Sequence, residues 1–314
     1  MCGLFGFVRY GDKIKNLADL TNSLAEQSAV RGTDATGIAF YNAAGIDITK
    51  DNKSAYRINF KHSDEIVALI GHTRHTTQGN AKKTYNNHPF PGKSINTRFA
   101  LAHNGVLTND KELRIAHKLP RSKIETDSYV AVQLLEKQRR LNFDSIKFMA
   151  EQTEGSFSYS ILDDKNNIWL VKGDSPLSIL HAPTLKLYIF ASTDEILWKA
   201  LVDYPPLFSV AKNGIIEPVD VSEGEILKIN PDGSLERSNF TYSYSYGKKW
   251  YQYGSYSYIN SSKDGSGYTR NEYIDDLKYI ASYLGYGPSS VDNLLAHGFT
   301  LEEIEDYLYC GGEV

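Results

Sequence analysis

Along its first 240 residues the chain switches between two hydrophobic periods. The runs "LFGFVRY", "TGIAFYN", "IVALIGHTRH", "RFALAHNGVLT", "FSYSILD", "IWLVKG", "LYIFAST" and "GEILKINPDG" are rich in β-branched and aromatic residues and bounded by Gly, Asn and Asp. That pattern predicts strands. Between them, "NLADLTNSLAEQSA", "TDSYVAVQLLEKQRR" and "FDSIKFMAEQT" carry apolar residues at helical spacing. The strands come in adjacent groups with few helices interleaved. Parallel neighbours need a long crossover between them, so this order predicts an α+β fold of mainly antiparallel sheets covered by helices.

The pattern changes after residue 240. "TYSYSYGKKWYQYGSYSYINSSKDGSGYTR" is a Tyr/Ser/Gly tract that predicts a linker over 241–270, with an aromatic docking segment or an edge strand at TYSYSY as alternatives. Beyond it, "NEYIDDLKYIASYLGYG", "SSVDNLLAHGF" and "TLEEIEDYLYC" predict a small helical module over 271–314, with Thr300 as an N-cap and Glu303 completing a capping box. The predicted organisation is therefore a main domain over 2–240, a linker and a helical appendage.

Composition narrows the function classes. The 314 residues are 41% hydrophobic and 23% charged, the balance of a globular chain with a core of its own. A net charge of −4 gives no electrostatic reason to expect nucleic acid or an anionic membrane as partner. No run approaches the roughly 18 unbroken apolar residues of a membrane span, and no basic segment precedes the short apolar patch at the start. A cytoplasmic protein is expected. Cys2 and Cys310 form neither a disulfide framework nor a paired CxxC metal site, so Cys2 needs an explanation of its own.

A thiol attacks as thiolate, and an ordinary cysteine near pKa 8.5 is mostly protonated at neutral pH. If Met1 is removed, Cys2 carries its own α-amine, whose reference pKa of about 7.7–8.0 suits it to accept and return a proton. Nucleophile and base then share one residue. A small buried residue opening a strand is the competing reading. "GHTRHTTQGN" sets Arg74 at the end of an apolar strand, where a guanidinium can grip a carboxylate with two bonds. "LAHNGVLTN" ends a second strand with Asn104-Gly105, whose side-chain amide and backbone N–H suit an oxyanion hole; NG is also a hairpin-turn signal. "ETDSYV" places Asp127 near the first turn of a helix, as a dipole-favoured acid or as the carboxylate that holds a substrate ammonium. "RGTDATGIAF" presents Arg31 and Gly32 just before a strand, where glycine lets backbone come close to a site. His72 and His75 would point to opposite faces of a strand, so no metal site is expected.

Taken in order, "MCGLFGF", "RGTDATGIA", "GHTRHTTQG", "NNHPF", "AHNGVLTN", "ETDSYV", "EGSFSYSIL", "KGDSPLSI" and "ASTDEIL" closely resemble the class II glutamine amidotransferase domain, a member of the N-terminal-nucleophile hydrolases. The resemblance covers residues 2 to about 237. It implies a four-layer αββα sandwich of two mainly antiparallel sheets, with the N-terminal cysteine between them. It implies that Cys2 attacks the side-chain amide of L-glutamine, that Asn104 and the Gly105 N–H stabilise the oxyanion, and that Arg31 orients the cysteine end. Arg74 would bind the α-carboxylate and Asp127 the α-ammonium, with Thr77, His75 and Gly32 at the same pocket. No cofactor or metal is implied. His75 stands where the family usually has Trp or Tyr, and Gln78 replaces a histidine common in its sugar-phosphate synthases.

Residues 241–314 contain no phosphoribosylpyrophosphate loop, sugar-isomerase domain or pyrophosphate-binding ATP motif, so a separate ammonia-acceptor subunit is expected. Two alternatives stay open: an amidase for another γ-glutamyl compound, and a non-catalytic scaffold that binds a partner through its tail.

Overall fold

The computed structural model describes residues 2–242, apart from 43, 96 and 213–215, together with separated positions between 274 and 304. The chain divides into two compact units, Met1–Gly247 and Lys248–Val314.

Among the described residues of the first unit, strands β1 (Gly3–Arg9), β2 (Ala35–Asn42), β3 (Gly45–Asp51), β4 (Ala68–Arg74), β9 (Ser178–Ala182), β10 (Leu187–Ala191) and β11 (Glu217–Pro218) form one sheet. Its order is β11-β9-β10-β1-β4-β2-β3. Strands β5 (Phe90–Lys93), β6 (Arg98–Leu107), β7 (Gly155–Asp163), β8 (Ile168–Lys172), β12 (Glu225–Ile229) and β13 (Leu235–Asn239) form the second, in the order β13-β12-β8-β7-β6-β5. Each pairing is antiparallel.

Three apolar layers follow from the period of two along each strand. On β1, Phe5 and Phe7 pack with α1 (Leu17–Ser28), α5 (Asp194–Val202) and α6 (Pro205–Lys212), whereas Leu4 and Val8 face the second sheet. On β6, Phe99 and Leu101 pack with α2 (Asp110–Ala116), α3 (Tyr129–Lys137) and α4 (Phe143–Gln152), whereas Ala100 and Ala102 face the first sheet. The result is helix, sheet, sheet, helix. A strand covered on both faces is apolar at most positions, which is why "GLFGFV" reads as a continuous run rather than an alternation, with Arg9 at its end.

This parity positions the polar residues that matter. The face of β4 that carries Ala68 and Ile70 toward the other sheet also carries Arg74, and the face of β6 that carries Ala100 and Ala102 also carries Asn104. Cys2 has the same parity as Leu4, so all three belong to the layer between the sheets.

Over residues 2–240 the predicted strands and helices fall on observed ones, with one local correction. Asn104-Gly105 does not end its strand or make a hairpin turn. Both residues lie inside β6, paired with Ser158 and Phe157 of β7, because β7 continues the ladder past them. Asp127 lies near the first turn of α3, one residue ahead of its N-cap Ser128, and its carboxylate accepts the Leu107 N–H of β6. In the second unit, Ser289–Ala296 is helical, within the predicted "SSVDNLLAHGF" segment, and Leu277, Ala281, Val291 and Ile304 form a small apolar cluster. Residues 243–270 of the Tyr-rich tract, Glu303 and Cys310 lie outside the described residues. No helix among the described residues is long and apolar enough to cross a membrane.

Candidate active site

Cys2 stands one residue ahead of β1 and is half-buried. The register Gly3 opposite Thr73 sets it beside the end of β4. Its Sγ accepts from the His75 N–H at 3.4 Å and lies 3.4 Å from the His75 carbonyl. Burial pushes the thiol up from its ordinary value, against the pull of the His75 N–H and the Arg74 charge, and Asp127 adds to the rise. Cys2 is therefore a protonated thiol at neutral pH and needs a base before it can attack.

Arg31, at the end of the short 3₁₀ turn Ala29–Arg31, donates Nε–H to the Cys2 carbonyl at 2.8 Å. Gly32 follows, and only a hydrogen fits there: a Cβ would stand 2.4 Å from the Arg74 carbonyl carbon and 2.6 Å from the His75 nitrogen. Asp34 then donates its N–H to the Arg74 carbonyl at 2.9 Å and accepts from the Thr76 N–H at 2.8 Å. The Arg31–Asp34 corner thus presses directly on the strand end that carries Arg74.

Arg74 is buried, and its guanidinium donates to Asn87 Oδ1 at 2.5 Å and to the Gln78 carbonyl at 2.6 Å. Five N–H donors in a planar fork leave more than these two bonds to offer. Asn104, also buried, points Nδ2 at Ser192 Oγ, 3.5 Å away. Ser192 accepts the Leu4 N–H on Oγ at 2.8 Å and donates its own N–H to the Leu4 carbonyl at 3.0 Å, so the amide of one sheet reaches the Cys2 end of the other. Gly105 has φ +139, and a Cβ there would lie 1.9 Å from the Ser156 carbonyl oxygen. No other residue type can occupy this point of the strand without moving β7. Asp127 is buried, and its Oδ2 accepts the Leu107 N–H at 2.7 Å.

The fold therefore brings Cys2, Arg31, Gly32, Arg74 and His75 into direct contact and reaches Asn104 through Ser192. Asp127 is anchored to the same strand as Asn104 and Gly105. His75 meets Cys2 through its backbone, while its side chain and Thr77 are exposed on the loop after β4. The residue-by-residue reading assigned no role to Ser192, Asp34, Asn87 or Glu125. Each sits inside a quoted motif, so the signal was position within a motif rather than chemistry at one residue.

Three histidines lie behind the site. His72, His88 and His103 are buried; the His72 and His88 rings are 4.2 Å apart, and His88 and His103 6.4 Å. His72 contacts the His103 carbonyl and His103 contacts Ser128 Oγ, but neither ring nitrogen of His88 has a partner. Burial lowers the pKa of all three, that of His72 to about 3. In the unfolded chain each takes up a proton near pH 6.5, whereas the folded chain resists it, so stability is full above about 6.5 and is lost as pH falls. Each histidine kept neutral costs about 1.4 kcal/mol per pH unit over that window. Melting temperature is expected to drop steeply between pH 6.5 and 5; a curve that is flat there, with His88→Phe making no difference, would contradict this. No group of three or more His, Cys, Asp or Glu that could hold a metal ion is present among the described residues.

Comparison with known proteins gives a consistent setting. Residues 72–199 match the family described as "Glutamine amidotransferase domain". The chain is 31% identical over 191 residues to the glutamine–fructose-6-phosphate aminotransferase (isomerizing) of Sulfurisphaera tokodaii, covering 57% of this chain and 31% of that protein. It is 33% identical over 188 residues to the enzyme of the same name from Staphylococcus epidermidis, covering 57% and 30%. The chain thus spans about a third of the length of the curated relatives it matches. Among solved structures it is similar to glutamine phosphoribosylpyrophosphate amidotransferase from B. subtilis (TM-score 0.57, 20% identity, 90% of this chain and 58% of that one). It is also similar to a structure described as the allosteric regulatory enzyme of purine biosynthesis (TM-score 0.59, 21% identity, 90% and 58%). At these identities the structural likeness bears on the fold.

Proposed function

We propose that the chain carries a class II glutamine amidotransferase domain of the N-terminal-nucleophile type and hydrolyses the side-chain amide of L-glutamine with Cys2 as nucleophile, a reading supported by the glutamine amidotransferase family match over residues 72–199. One observation carries the reading: a half-buried thiol whose backbone carbonyl is held by Arg31 and whose Sγ lies against the residue that follows Arg74.

With Met1 removed, the α-amine of Cys2 takes the thiol proton as Sγ forms its bond to the amide carbon. The oxyanion develops against Asn104 Nδ2 and the Gly105 N–H, two donors fixed before reaction and therefore effective in a water-poor layer between sheets. The ammonium returns its proton to the departing nitrogen as the C–N bond breaks, and ammonia leaves a γ-glutamyl thioester. Water, deprotonated by the same amine, attacks the thioester, and collapse of the adduct gives glutamate and restores the thiol. Arg74 holds the α-carboxylate and Asp127 the α-ammonium, with Thr77, His75 and Gly32 at the same head. A zwitterion needs one cation and one anion, and charge-assisted bonds to both reject amides lacking either group.

The curated relatives named above are glutamine–fructose-6-phosphate aminotransferases, which supports delivery of the ammonia to an acceptor. In this reading the acceptor is a separate subunit that takes up the released ammonia.

The test is release of equimolar glutamate and ammonia from glutamine by protein whose intact mass lacks Met1. Replacing Arg74 with lysine removes the planar fork while keeping the charge, and KM for glutamine is expected to rise about 10- to 100-fold, the scale of one or two charge-assisted bonds. An unchanged KM would take the carboxylate away from Arg74. Equal turnover of γ-glutamyl amides and glutamine would favour the broader amidase.

A further inference from the structure

The segment that leaves β4 after Arg74 returns at Asn87, and Arg74 closes it into a ring through its bonds to the Gln78 carbonyl and Asn87 Oδ1. One side chain from elsewhere fills that ring. Glu125 accepts from Asn86 Nδ2 at 2.8 Å and from the Asn80 N–H at 3.3 Å on Oε2, and pairs with Lys83 Nζ on Oε1. Its backbone joins in as well: the Glu125 N–H donates to Asn86 Oδ1 at 3.0 Å, and its carbonyl accepts from Gln78 Nε2 at 3.2 Å. Gly79, at φ +78, passes so close that a Cβ there would lie 3.2 Å from Glu125 Cβ. Two residues further along the same segment is Asp127, tied to β6.

We propose that Glu125 is a positioning residue for glutamine binding, coupling the ring that aims Arg74 to the segment that aims Asp127, so that the two halves of the zwitterion clamp order together. This rests on the reading that Arg74 and Asp127 hold the glutamine head. The Lys83–Glu125 pair by itself carries little, because both side chains are about two-fifths exposed and surface pairs contribute a median near zero to 1 kcal/mol. The set as a whole matters, since three donors from three points of the ring converge on one carboxylate. An ionised carboxylate is acceptor-only and matches all three, whereas an amide in its place turns an N–H toward at least one donor. Lys83 and Asn86 hold the Glu125 carboxyl below its usual range, so it stays ionised at neutral pH and the match fails only on acidification.

The experiment compares the parent chain with Glu125→Gln and Glu125→Asp. For Glu125→Gln, KM for glutamine is expected to rise at least about tenfold while kcat stays within about threefold, with Glu125→Asp in between. Alkylation of Cys2 by iodoacetamide, which has no α-amino-acid head, keeps its parent rate; inactivation by a diazoketone analogue of glutamine slows with KM. Amide hydrogen exchange in Glu125→Gln speeds up in both 76–86 and 125–129. An unchanged KM overturns the proposal, and so does equal slowing of iodoacetamide, which would mean general damage to the site. Faster exchange in one segment alone also overturns it, and this readout decides the coupling even if the parent fails to hydrolyse glutamine, a result that would sink the functional reading instead.

Discussion

A chain with Cys2 replaced by alanine is expected to release no ammonia from glutamine above background, a fall on the order of 10⁶-fold, the scale seen when a covalent nucleophile is removed. The effect is large because nothing else described at the site can substitute. The other polar groups described there are the Asn104 amide, the Arg74 guanidinium, the Asp127 carboxylate engaged by the Leu107 N–H, and the Ser192 hydroxyl, whose Oγ is already bonded to the Leu4 N–H. Stability is expected to change by less than about 1 kcal/mol, since one half-buried sulfur with two long contacts is lost. Protein that still carries Met1, separated by intact mass, is expected to be equally silent. Its thiol keeps the raised pKa that burial imposes but lacks the adjacent free amine that would take its proton. Activity of the Met1-bearing form at the parent rate would remove the amine from the mechanism; activity of the alanine variant would remove Cys2.

Replacing Asn104 with alanine is expected to lower kcat about 10²- to 10³-fold with little change in KM, the usual consequence of losing one oxyanion donor. The split follows from geometry. Asn104 Nδ2 has only a long 3.5 Å contact to Ser192 and so is available to a developing charge, whereas Arg74 and Asp127 act on the other end of the substrate. Ser192→Ala serves as the control. It removes the bridge to the Leu4 N–H at 2.8 Å, so it loosens the orientation of the amide without deleting it, and a smaller fall in kcat is expected. A rise in KM at constant kcat for Asn104→Ala would place this side chain in ground-state binding instead.

The strands were legible where burial on both faces makes a run mostly apolar, as in the first residues of "GLFGFVR" and "ALIGHTR". Less legible were β3, β9 and β13, which lie at or next to sheet edges. On β3 and β13 an exposed face admits Asp, Lys and Glu, and the hydrophobic signal weakens accordingly. The helix α4 was legible through the helical spacing of apolar residues in "FDSIKFMAEQT", to which the structure adds Asn142 as an N-cap that accepts the Ser145 N–H. Asn104-Gly105 misled because the local rule for NG is a turn, while the ladder to β7 extends the strand through it.

At the candidate site the same division holds. Sequence alone determined the residue types and their order: a cysteine at position 2, an arginine ending one apolar run, an Asn-Gly pair in another, and an acid ahead of a helix. Those follow from local chemistry, since side-chain type and spacing are properties of the chain itself. Tertiary structure decided the rest. Strand parity and the antiparallel register of β1 with β4 bring Cys2 to Arg74 and His75 across 72 residues or more. The stacking of two sheets brings Asn104 to Ser192 across 88. Glu125 has no role assigned from the sequence, and only when the loop from Arg74 to Asn87 closes around it do its partners converge. Contacts between residues so far apart in the chain depend on how layers pack, and no local pattern encodes that.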